Sequence, residues 1–410
     1  MAKLLRLVIV TLLLGIVFSK DSIPFPGGDT AFHKWLNEIY TRTQIDPTTM
    51  KRVTDYVTKQ IKLITDEVKK LDNCFDFVQL RGSAAEDLKI LQPDEYDFVL
   101  YNEKWTKIID YNEDKKTPGF AFAIEEKTTC LDKYKLKDPK NGVDPAKVRA
   151  HMLEIVTTAL AKVGIKTKAM PVGPSINFQI PSQEKSFKYI DIDLVLYIKQ
   201  NDWPKSADPK IDPTLKAVGV GLVAKVLEPP QDSRLWQISF SAAEIKLFQG
   251  IDADGGSRKK LLKIAKYLKI ASEWPENIAS YHLKTEIMKM NRDHPNKDDW
   301  IDSKLVPRFN ELILNFLKAL EAGKLPSFFI PTFNLFQGKD LGTAIERVKN
   351  LISAIETNPD SCFPPARAPC APSGGLPPKL PLITKLKKLA SFKPTSENEI
   401  EIVPFKENNL

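Results

Sequence analysis

Cysteine and histidine are scarce in this 410-residue chain, which has four of each. The cysteines, Cys74, Cys130, Cys362 and Cys370, show neither Cys-x-x-Cys nor mixed Cys/His spacing. Their scatter argues against a structural zinc site and against a disulfide-stapled extracellular fold. The histidines are likewise too few and too dispersed to form a metal cluster.

The rest of the composition is ordinary for a soluble globular protein. Hydrophobic residues make up 42% of the chain and charged residues 27%, and the length suggests two or more lobes. The net charge is +8 and the pI is near 9.0, which favours a polyanionic partner. Lysine-rich surfaces are usually only solvated, so composition alone does not establish nucleic-acid binding.

One short apolar run stands at the N-terminus. Lys3 and Arg6 give it a basic start, the apolar stretch ends at Phe18, and Ser19 follows. This order is typical of a secretory signal peptide, and the run is short for a membrane-spanning helix. We therefore interpret residues 1–19 as a signal-like or membrane-anchor segment, with both alternatives open.

The most informative stretch combines a Gly-Ser turn with two carboxylates. Gly82 and Ser83 precede an alternating segment at residues 95–100, which is typical of a strand with one apolar face. Side chains at i and i+2 of a strand point to the same side, so Glu95 and Asp97 should project together. Mg²⁺ is commonly held by such carboxylates plus substrate phosphates, and the turn gives backbone N–H groups room to approach a phosphate. The alternative is an exposed strand with an acidic outer face.

A third carboxylate is expected on another strand, because two-metal phosphoryl transfer needs a ligand that completes both ions. The β-rich segment at residues 187–198 is the best candidate. Its aspartates, Asp191 and Asp193, stand among apolar neighbours, where a buried charge needs a partner. The two would share a strand face, so spacing cannot choose between them.

Hydrophobic periodicity predicts the main elements. Residues 49–71 predict a long amphipathic helix with lysines between its apolar positions. Residues 236–247 are interpreted as a helix start capped by Ser241, with Glu244 three residues on. Further strands are expected near 119–124, 176–180, 187–198 and 218–227, and further helices over 143–163 and within 258–356.

Six stretches, in order along residues 50–340, resemble the animal family of cyclic GMP-AMP synthase and synthase-like receptors. They are Gly82-Ser83 with Glu95-Tyr96-Asp97, residues 174–196 with Trp203-Pro204, residues 236–244 with the pattern Trp-x-x-Ser-Phe-Ser-x-x-Glu, residues 262–268, residues 280–285, and residues 329–336.

The resemblance implies an α+β, bilobal nucleotidyltransferase fold, with a mixed β-sheet lobe that has a long spine helix and a C-terminal helical lobe. With it we expect a catalytic lobe at 30–230, a helical lobe at 231–356, and a Pro-rich linker and disordered tail at 357–410. The implied activity is synthesis of a cyclic dinucleotide of the cyclic GMP-AMP type from ATP and GTP, in innate immune sensing. The alternative is a catalytically inactive nucleotide- or nucleic-acid-binding protein on the same fold.

The resemblance also implies roles for single residues. Glu95, Asp97 and Asp193 (or Asp191) match the catalytic ligands of Mg²⁺ or Mn²⁺, and the family pattern prefers Asp193. The matching nucleotide-binding positions are Gly82, Ser83, Lys225, Glu244, Lys266, Ser280 and Tyr281. A lysine acts there as a point charge on phosphate, and a tyrosine as a platform for a purine. Alone, Tyr281 and Lys266 would be interpreted as helix packing and a solvated lysine.

Two departures from the family pattern affect ligand choice. The vertebrate enzyme has a His/Cys zinc ribbon where residues 250–257 contain neither cysteine nor histidine, so no structural zinc is expected. Gln237 stands where the vertebrate enzyme has an arginine at the nucleobase pocket. The activating ligand and the base choice are therefore both open.

Basic residues predict a nucleic-acid surface on two helices. They are Lys51, Arg52, Lys59, Lys62, Arg258, Lys259 and Lys263. Such lysines bind backbone phosphate without reading sequence, so double-stranded RNA, recognised by shape, fits at least as well as DNA. Without a zinc ribbon we expect RNA rather than DNA, and the protein could dimerise on such a ligand. An enzyme that consumes nucleotides is expected in the cytoplasm. The signal-like segment at residues 1–19 conflicts with that expectation.

Overall fold

The described part of the chain begins with two helices, continues with a region of strands and helices, and ends with a helical region. The structure is a computed structural model that describes residues 22–73, 75–101, 109–125, 142–227 and 231–362. The helices in these ranges are α1 Gly28–Thr43, α2 Pro47–Leu71, α3 Gly82–Ala85, α4 Pro145–Lys162, α5 Pro213–Lys216, α6 Ser241–Gly250, α7 Arg258–Ala271, α8 Ser280–Asp293, α9 Leu305–Glu321 and α10 Gly342–Thr357. The strands are β1 Phe77–Arg81, β2 Glu95–Tyr101, β3 Ile109–Glu113, β4 Phe120–Glu125, β5 Met170–Val172, β6 Ser175–Pro181, β7 Tyr189–Gln200, β8 Val220–Val223 and β9 Trp236–Ser239.

Helix α2 forms where the sequence predicts a long amphipathic helix. Asp46 caps it by accepting a hydrogen bond from the backbone N–H of Thr49 at 2.8 Å, and Pro47 occupies the first turn, where its missing N–H costs no hydrogen bond. Buried residues recur every three or four positions from Val53 to Val68. One apolar stripe of the helix therefore packs on the core.

The described strands form one mixed sheet around the long strand β7. Strand β2 pairs in parallel with the first part of β7, while β6 pairs antiparallel along its other edge. The last four residues of β7, Tyr197–Gln200, pair with β8. The order is β1-β2-β7-β8-β9-β4-β3, with β6 beside β7 and β5 beside β6. Strand β7 thus joins the two halves of the sheet.

The two faces of this sheet differ in chemistry. On one face Tyr96, Ile192 and Leu194 are buried, and the Tyr96 hydroxyl meets Thr54 Oγ1 of α2 at 3.0 Å. The alternate residues of the same strands, among them Asp97 and Asp193, point to the opposite face. The apolar face therefore packs on the long helix, and the polar face is left for chemistry.

The C-terminal region is helical and has its own aromatic packing. Trp274 stacks on Phe316 of α9 with ring centroids 5.4 Å apart, and Trp300 and Phe309 are fully buried. With the mixed sheet, this region confirms the predicted α+β class, and all the described residues belong to one compact unit. Within the described ranges, the helices are too short or too polar to cross a bilayer.

The segment around residue 236 differs from the sequence interpretation. Residues 236–239 form strand β9 instead of a helix start, because Trp236 and Ile238 alternate into the core and the Trp236 indole donates to the Val143 carbonyl at 2.7 Å. Ser241 is the first residue of α6 and makes no capping hydrogen bond; the preceding residue, Phe240, takes the cap position. The helix thus begins within one residue of the predicted cap position, but the Ser241 side chain does not cap it.

Two predicted parts of the chain lie outside the described residues. The signal-like segment at 1–19 is one, and most of the proline-rich linker with the whole tail, residues 363–410, is the other. Cys74, Cys130 and Cys370 also fall outside, whereas Cys362 is a buried free thiol.

Candidate active site

Parallel pairing of β2 with β7 brings four carboxylates to one face of the sheet. Glu95 lies beside Asp191 in the register, and Asp97 lies beside Asp193. Paired residues share a face and so do residues two positions apart, so all four side chains project together. Both aspartates that the spacing left open are therefore present at the same place.

Asp97 lies against the Gly-Ser turn. Burial, together with the charges of Glu95 and Asp193, raises the pKa of Asp97 to about 7. Gly82 has a φ of 62°, and a Cβ on Gly82 would overlap the Asp97 carboxylate. The position needs glycine for its backbone conformation and for this close approach. The predicted phosphate-contacting turn and the predicted metal ligand are therefore direct neighbours.

Asp193 is oriented by two donors on β6. Ser175 Oγ donates to Asp193 Oδ1 at 2.9 Å, and Asn177 Nδ2 donates to the same oxygen at 3.0 Å. Burial raises the pKa of Asp193, although these two hydrogen bonds oppose the shift. Asp191 receives one amide donor, Gln179 Nε2, at 2.8 Å. Both described donors to Asp193 use Oδ1, so Oδ2 is available for a cation.

Glu95 is turned towards a lysine. Lys89 Nζ lies 3.3 Å from Glu95 Oε2 and 3.2 Å from Asp94 Oδ1, and its side chain is only 9% exposed. Among the described residues, no three acidic, histidine or cysteine side chains converge closely enough to hold a metal ion. The donor set fits Mg²⁺ in chemical type and register, and Glu95 would have to turn away from Lys89 to complete it.

Lys266 reaches the same loop from α7. Its Nζ donates to the Leu88 carbonyl at 2.5 Å. Burial, with the nearby charge of Lys89, lowers the pKa of Lys266 to about 8, although Glu95 and Glu86 oppose the shift. The lysine thus lies close to the acidic cluster, where a phosphate would be its natural partner.

A buried network joins three elements at the same end of the site. Lys284 Nζ of α8 donates to Glu86 Oε1 at 2.7 Å and to Glu244 Oε2 at 2.6 Å, and the Tyr281 hydroxyl donates to Glu244 Oε1 at 3.1 Å. Burial would lower the pKa of Lys284, but the two carboxylates outweigh it and raise the pKa. Burial raises the pKa of Glu86, and the positive charge of Lys284 only partly offsets this shift. The predicted residues Glu244 and Tyr281 are therefore linked to the loop after Ser83.

The remaining predicted nucleotide contacts are Ser280 and Lys225. Ser280 begins α8, directly before Tyr281. Lys225 follows β8, and burial together with the charge of Lys339 lowers its pKa. No contact described here links Lys225 to the carboxylates, so its predicted role at the base pocket stays a prediction.

The basic residues of α2 are exposed but largely paired. Lys51 meets Asp55 at 2.5 Å, Lys62 meets Asp66 at 2.7 Å, and Arg52 meets Glu184 at 2.8 Å. Lys59 is exposed and makes no ion pair with any residue that the structure describes. The helix surface is therefore less positive than its sequence suggests.

The predicted basic residues of α7 are mostly turned inward. Lys259 and Lys263 face Asp87 at 3.6 and 3.2 Å. Arg258 is 3% exposed, pairs with Asp252 and Asp254, and lies 4.8 Å from the Trp300 ring centre. Its guanidinium holds the start of α7 in place, so we leave Arg258 out of the proposed nucleic-acid surface.

Sequence reasoning missed Glu86, Lys89 and Lys284. Glu86 and Lys89 follow the Gly-Ser turn within seven residues, and Lys284 lies in the stretch 280–285 that the resemblance already marked. Polar residues inside those stretches were a usable signal. Glu86 and Lys284 are 198 residues apart, so only the fold shows that they belong to one network. Lys89 instead pairs with Asp94 and Glu95, a few residues further along the chain.

Comparison with protein families matches two consecutive parts of the chain. Residues 84–250 match the Mab-21 protein nucleotidyltransferase domain, and residues 257–353 match the Mab-21 protein HhH/H2TH-like domain. The first match ends where α6 ends, and the second begins at the residue before α7. Together they cover more than half of the chain, from just after the Gly-Ser turn to the last long helix. The chain belongs to the Mab-21 domain family.

Proposed function

We propose that this protein is a divalent-metal-dependent nucleotidyltransferase that makes a cyclic dinucleotide of the cyclic GMP-AMP type from ATP and GTP in innate immune sensing. The observation that carries the proposal is the register of β2 with β7, which sets Asp97 beside Asp193 on the face next to the Gly-Ser turn. The nucleotidyltransferase domain of the family match agrees with it.

The carboxylates account for the metal requirement. Asp97 has a pKa raised to about 7 by burial and by its acidic neighbours, so the ionised cluster is costly until a cation neutralises it. Glu95, Asp97 and Asp193 would hold Mg²⁺ or Mn²⁺, and the bound ions would supply charge neutralisation for the triphosphate and acidify the attacking hydroxyl.

The surrounding residues position the substrates. Asp193, fixed by Ser175 and Asn177, accepts the proton from the ribose hydroxyl of the acceptor nucleotide. Lys266 releases its hydrogen bond to the Leu88 carbonyl and binds a phosphate of the donor nucleotide instead. Tyr281 stacks on a purine base. The hydroxyl oxygen attacks the α-phosphorus of the donor nucleotide, whose bond to the bridging oxygen breaks and releases pyrophosphate. A second transfer of the same kind, again with release of pyrophosphate, closes the ring.

The proposed activator is double-stranded RNA in preference to DNA. The exposed lysines of α2 would contact phosphates, and the A-form helix would be recognised by shape. The loop between α6 and α7 carries neither cysteine nor histidine, so no structural zinc is proposed there.

The test combines product chromatography with isosteric variants. Protein is incubated with ATP, GTP and Mg²⁺, and with double-stranded RNA, double-stranded DNA or no nucleic acid. Glu95→Gln, Asp97→Asn and Asp193→Asn should each reduce product at least about a hundredfold while the circular dichroism spectrum stays native, and Asp191→Asn is the matched control. A wild-type rate in the Glu95→Gln/Asp97→Asn double variant would contradict the proposal. Loss in Asp191→Asn alone would move the third ligand to Asp191.

A second candidate is a binding protein that has lost catalysis on the same fold. The absence of three converging ligands among the described residues favours it, whereas the retained carboxylates oppose it. Thermal unfolding with a non-hydrolysable ATP analogue separates the two. No shift at saturating analogue supports a binding protein without a nucleotide site. Stabilisation that requires Mg²⁺ or Mn²⁺ supports a metal–nucleotide site, and product formation then separates the enzyme from an inactive nucleotide-binding protein.

A further inference from the structure

A lysine on the loop before β2 is held against one of the carboxylates of the candidate metal site. Lys89 Nζ lies 3.3 Å from Glu95 Oε2 and 3.2 Å from Asp94 Oδ1. The Lys89 side chain is 9% exposed, whereas the Glu95 side chain is 52% exposed. The protein therefore encloses the lysine, and its carboxylate partner faces solvent and can turn.

The charge of Lys89 acts on more groups than its two ion-pair partners. Burial and the charges of Glu95 and Asp193 raise the pKa of Asp97, and the charge of Lys89 opposes this shift. Burial, followed by the charge of Lys89, lowers the pKa of Lys266. The ammonium group thus supplies positive charge to the acidic cluster, which is also what a divalent cation would supply.

The loop that carries Lys89 is fixed from two sides. Lys266 Nζ of α7 donates to the Leu88 carbonyl at 2.5 Å, and the Leu91 backbone N–H donates to the Thr43 carbonyl of α1 at 3.0 Å. Leu91 has a φ of 65°, a conformation that a bulky residue adopts only where its surroundings impose it. The contact of Lys89 with Glu95 is therefore part of the packed loop and not a chance meeting of two mobile side chains.

The lysine and a metal ion need the same carboxylate. Asp97 and Asp193 lie side by side in the β2–β7 register, whereas Glu95 Oε2 is drawn to Lys89. Mg²⁺ and its substitutes bind carboxylate oxygens directly, at about 2.1 Å for Mg²⁺. An ammonium group within hydrogen-bond distance of Glu95 would repel such an ion, so the two cations exclude each other there.

We propose that Lys89 is a positioning residue that competes with the divalent cation for Glu95, so that a metal ion binds only by displacing the ammonium group. When the ion binds, Glu95 turns to it and Lys89 keeps Asp94 as its acidic partner. Removing the charge of Lys89 should therefore strengthen metal binding, which loss of a merely structural lysine would not do. This inference rests on the proposed metal-dependent nucleotidyltransferase function and adds the control of its metal site.

Titration of the full chain with Mn²⁺ alone tests the inference, with free Mn²⁺ measured by electron paramagnetic resonance. Lys89→Met should bind Mn²⁺ about tenfold more tightly than wild type, because no charge-assisted hydrogen bond has to be broken. Lys89→Arg keeps the charge and should bind no more tightly than wild type. Thermal unfolding gives a second measurement, since Mn²⁺ should stabilise Lys89→Met more than it stabilises wild type.

Lys289→Met is the matched control. Lys289 of α8 meets Glu286 at 2.9 Å, and neither residue belongs to the predicted site. This variant also loses a paired lysine, so its Mn²⁺ affinity should equal that of wild type. Tighter binding in Lys289→Met or in Lys89→Arg would overturn the inference, because the Lys89–Glu95 contact could not then be the cause.

The remaining outcomes separate this inference from the function beneath it. If Mn²⁺ binds to none of these proteins, with or without a non-hydrolysable ATP analogue, the proposed metal-dependent function is wrong. If wild type binds Mn²⁺ and Lys89→Met binds it equally or more weakly, the inference is overturned and the proposed function stands. If Lys89→Met does not fold, amine labelling of wild-type protein decides. Mn²⁺ should speed the modification of Lys89 and not that of Lys289, and an unchanged rate at Lys89 overturns the inference.

Discussion

At the level of single residues, the active site depends on a backbone that comes very close to a carboxylate. Gly82 has a φ of 62°, and a Cβ there would overlap Asp97. We expect Gly82→Ala to destabilise the fold by about 1–3 kcal/mol from backbone strain and also to abolish nucleotide transfer, because the Asp97 carboxylate must move. Chemical denaturation measures the first effect and product formation the second.

Gly164 supplies the matched control for this substitution. Its φ is 79°, and a Cβ there would meet no atom within 4 Å. Gly164→Ala should therefore lose a similar amount of stability but keep full activity. Equal activity in the two alanine variants would show that the close approach of Gly82 to Asp97 has no role.

His282 gives a prediction about pH. It is 5% exposed, its Nδ1–H donates to the Ala279 carbonyl at 2.9 Å, and burial lowers its pKa to about 4. As pH falls, the imidazole in the unfolded chain takes up a proton near its usual pKa of about 6.5, whereas the folded protein takes it up only near pH 4. The contribution of neutral His282 to the free energy of unfolding is therefore complete above about pH 6.5 and is lost as pH falls towards 4. The loss approaches roughly 3 kcal/mol. Urea denaturation between pH 4 and 7 should show this slope, and His282→Gln should flatten it; an unchanged slope would contradict the assignment.

At the level of elements, one lysine ties the site loop to two helices. Lys284 of α8 is the described donor to both Glu86 and Glu244, which are 3% and 7% exposed. Lys284→Met leaves two buried carboxylates without their cation, which should cost about 3–5 kcal/mol. Thermal and urea unfolding give the value.

A surface pair between helices is the control for Lys284. Lys349 of α10 meets Glu321 at 2.7 Å, and both side chains are about half exposed. Lys349→Met should change stability by no more than about 1 kcal/mol. If the two methionine variants lose the same stability, burial of the Lys284 network is not what makes it important.

The sequence predicted most of these elements and half of the site. Helical periodicity located α2, and alternation located β2 and β7, within a few residues, because those signals are local. Spacing could not choose between Asp191 and Asp193, because both lie on one strand face. Their hydrogen-bond donors differ, but those donors belong to the neighbouring strand β6. Strand β9 was missed because its four residues are too few for alternation to outweigh the helical pattern that follows.

The long-range pairs were beyond sequence reasoning for the same reason. Lys284 and Glu86 are 198 residues apart, and Lys266 and Leu88 are 178 apart. Burial of Arg258 was also hidden, because a basic residue at a helix start normally suggests an exposed charge. Its two aspartate partners belong to a loop whose conformation no local signal specified.

At the level of the whole molecule, the net charge of +8 favours a polyanion, but ion pairs decide which lysines are available to it. Lys59 of α2 is exposed without a described acidic partner, whereas Lys62 lies 2.7 Å from Asp66 on the same helix. Lys59→Ala should therefore reduce the slope of log affinity against log salt for double-stranded RNA by about one, and weaken binding equally for unrelated sequences. Lys62→Ala should have a smaller effect, because Asp66 already neutralises that charge. Fluorescence anisotropy over a range of salt concentrations measures both slopes, and Lys349→Ala is a control on another surface. Identical slopes in all three variants would contradict the proposed surface, and so would tighter binding to DNA than to RNA.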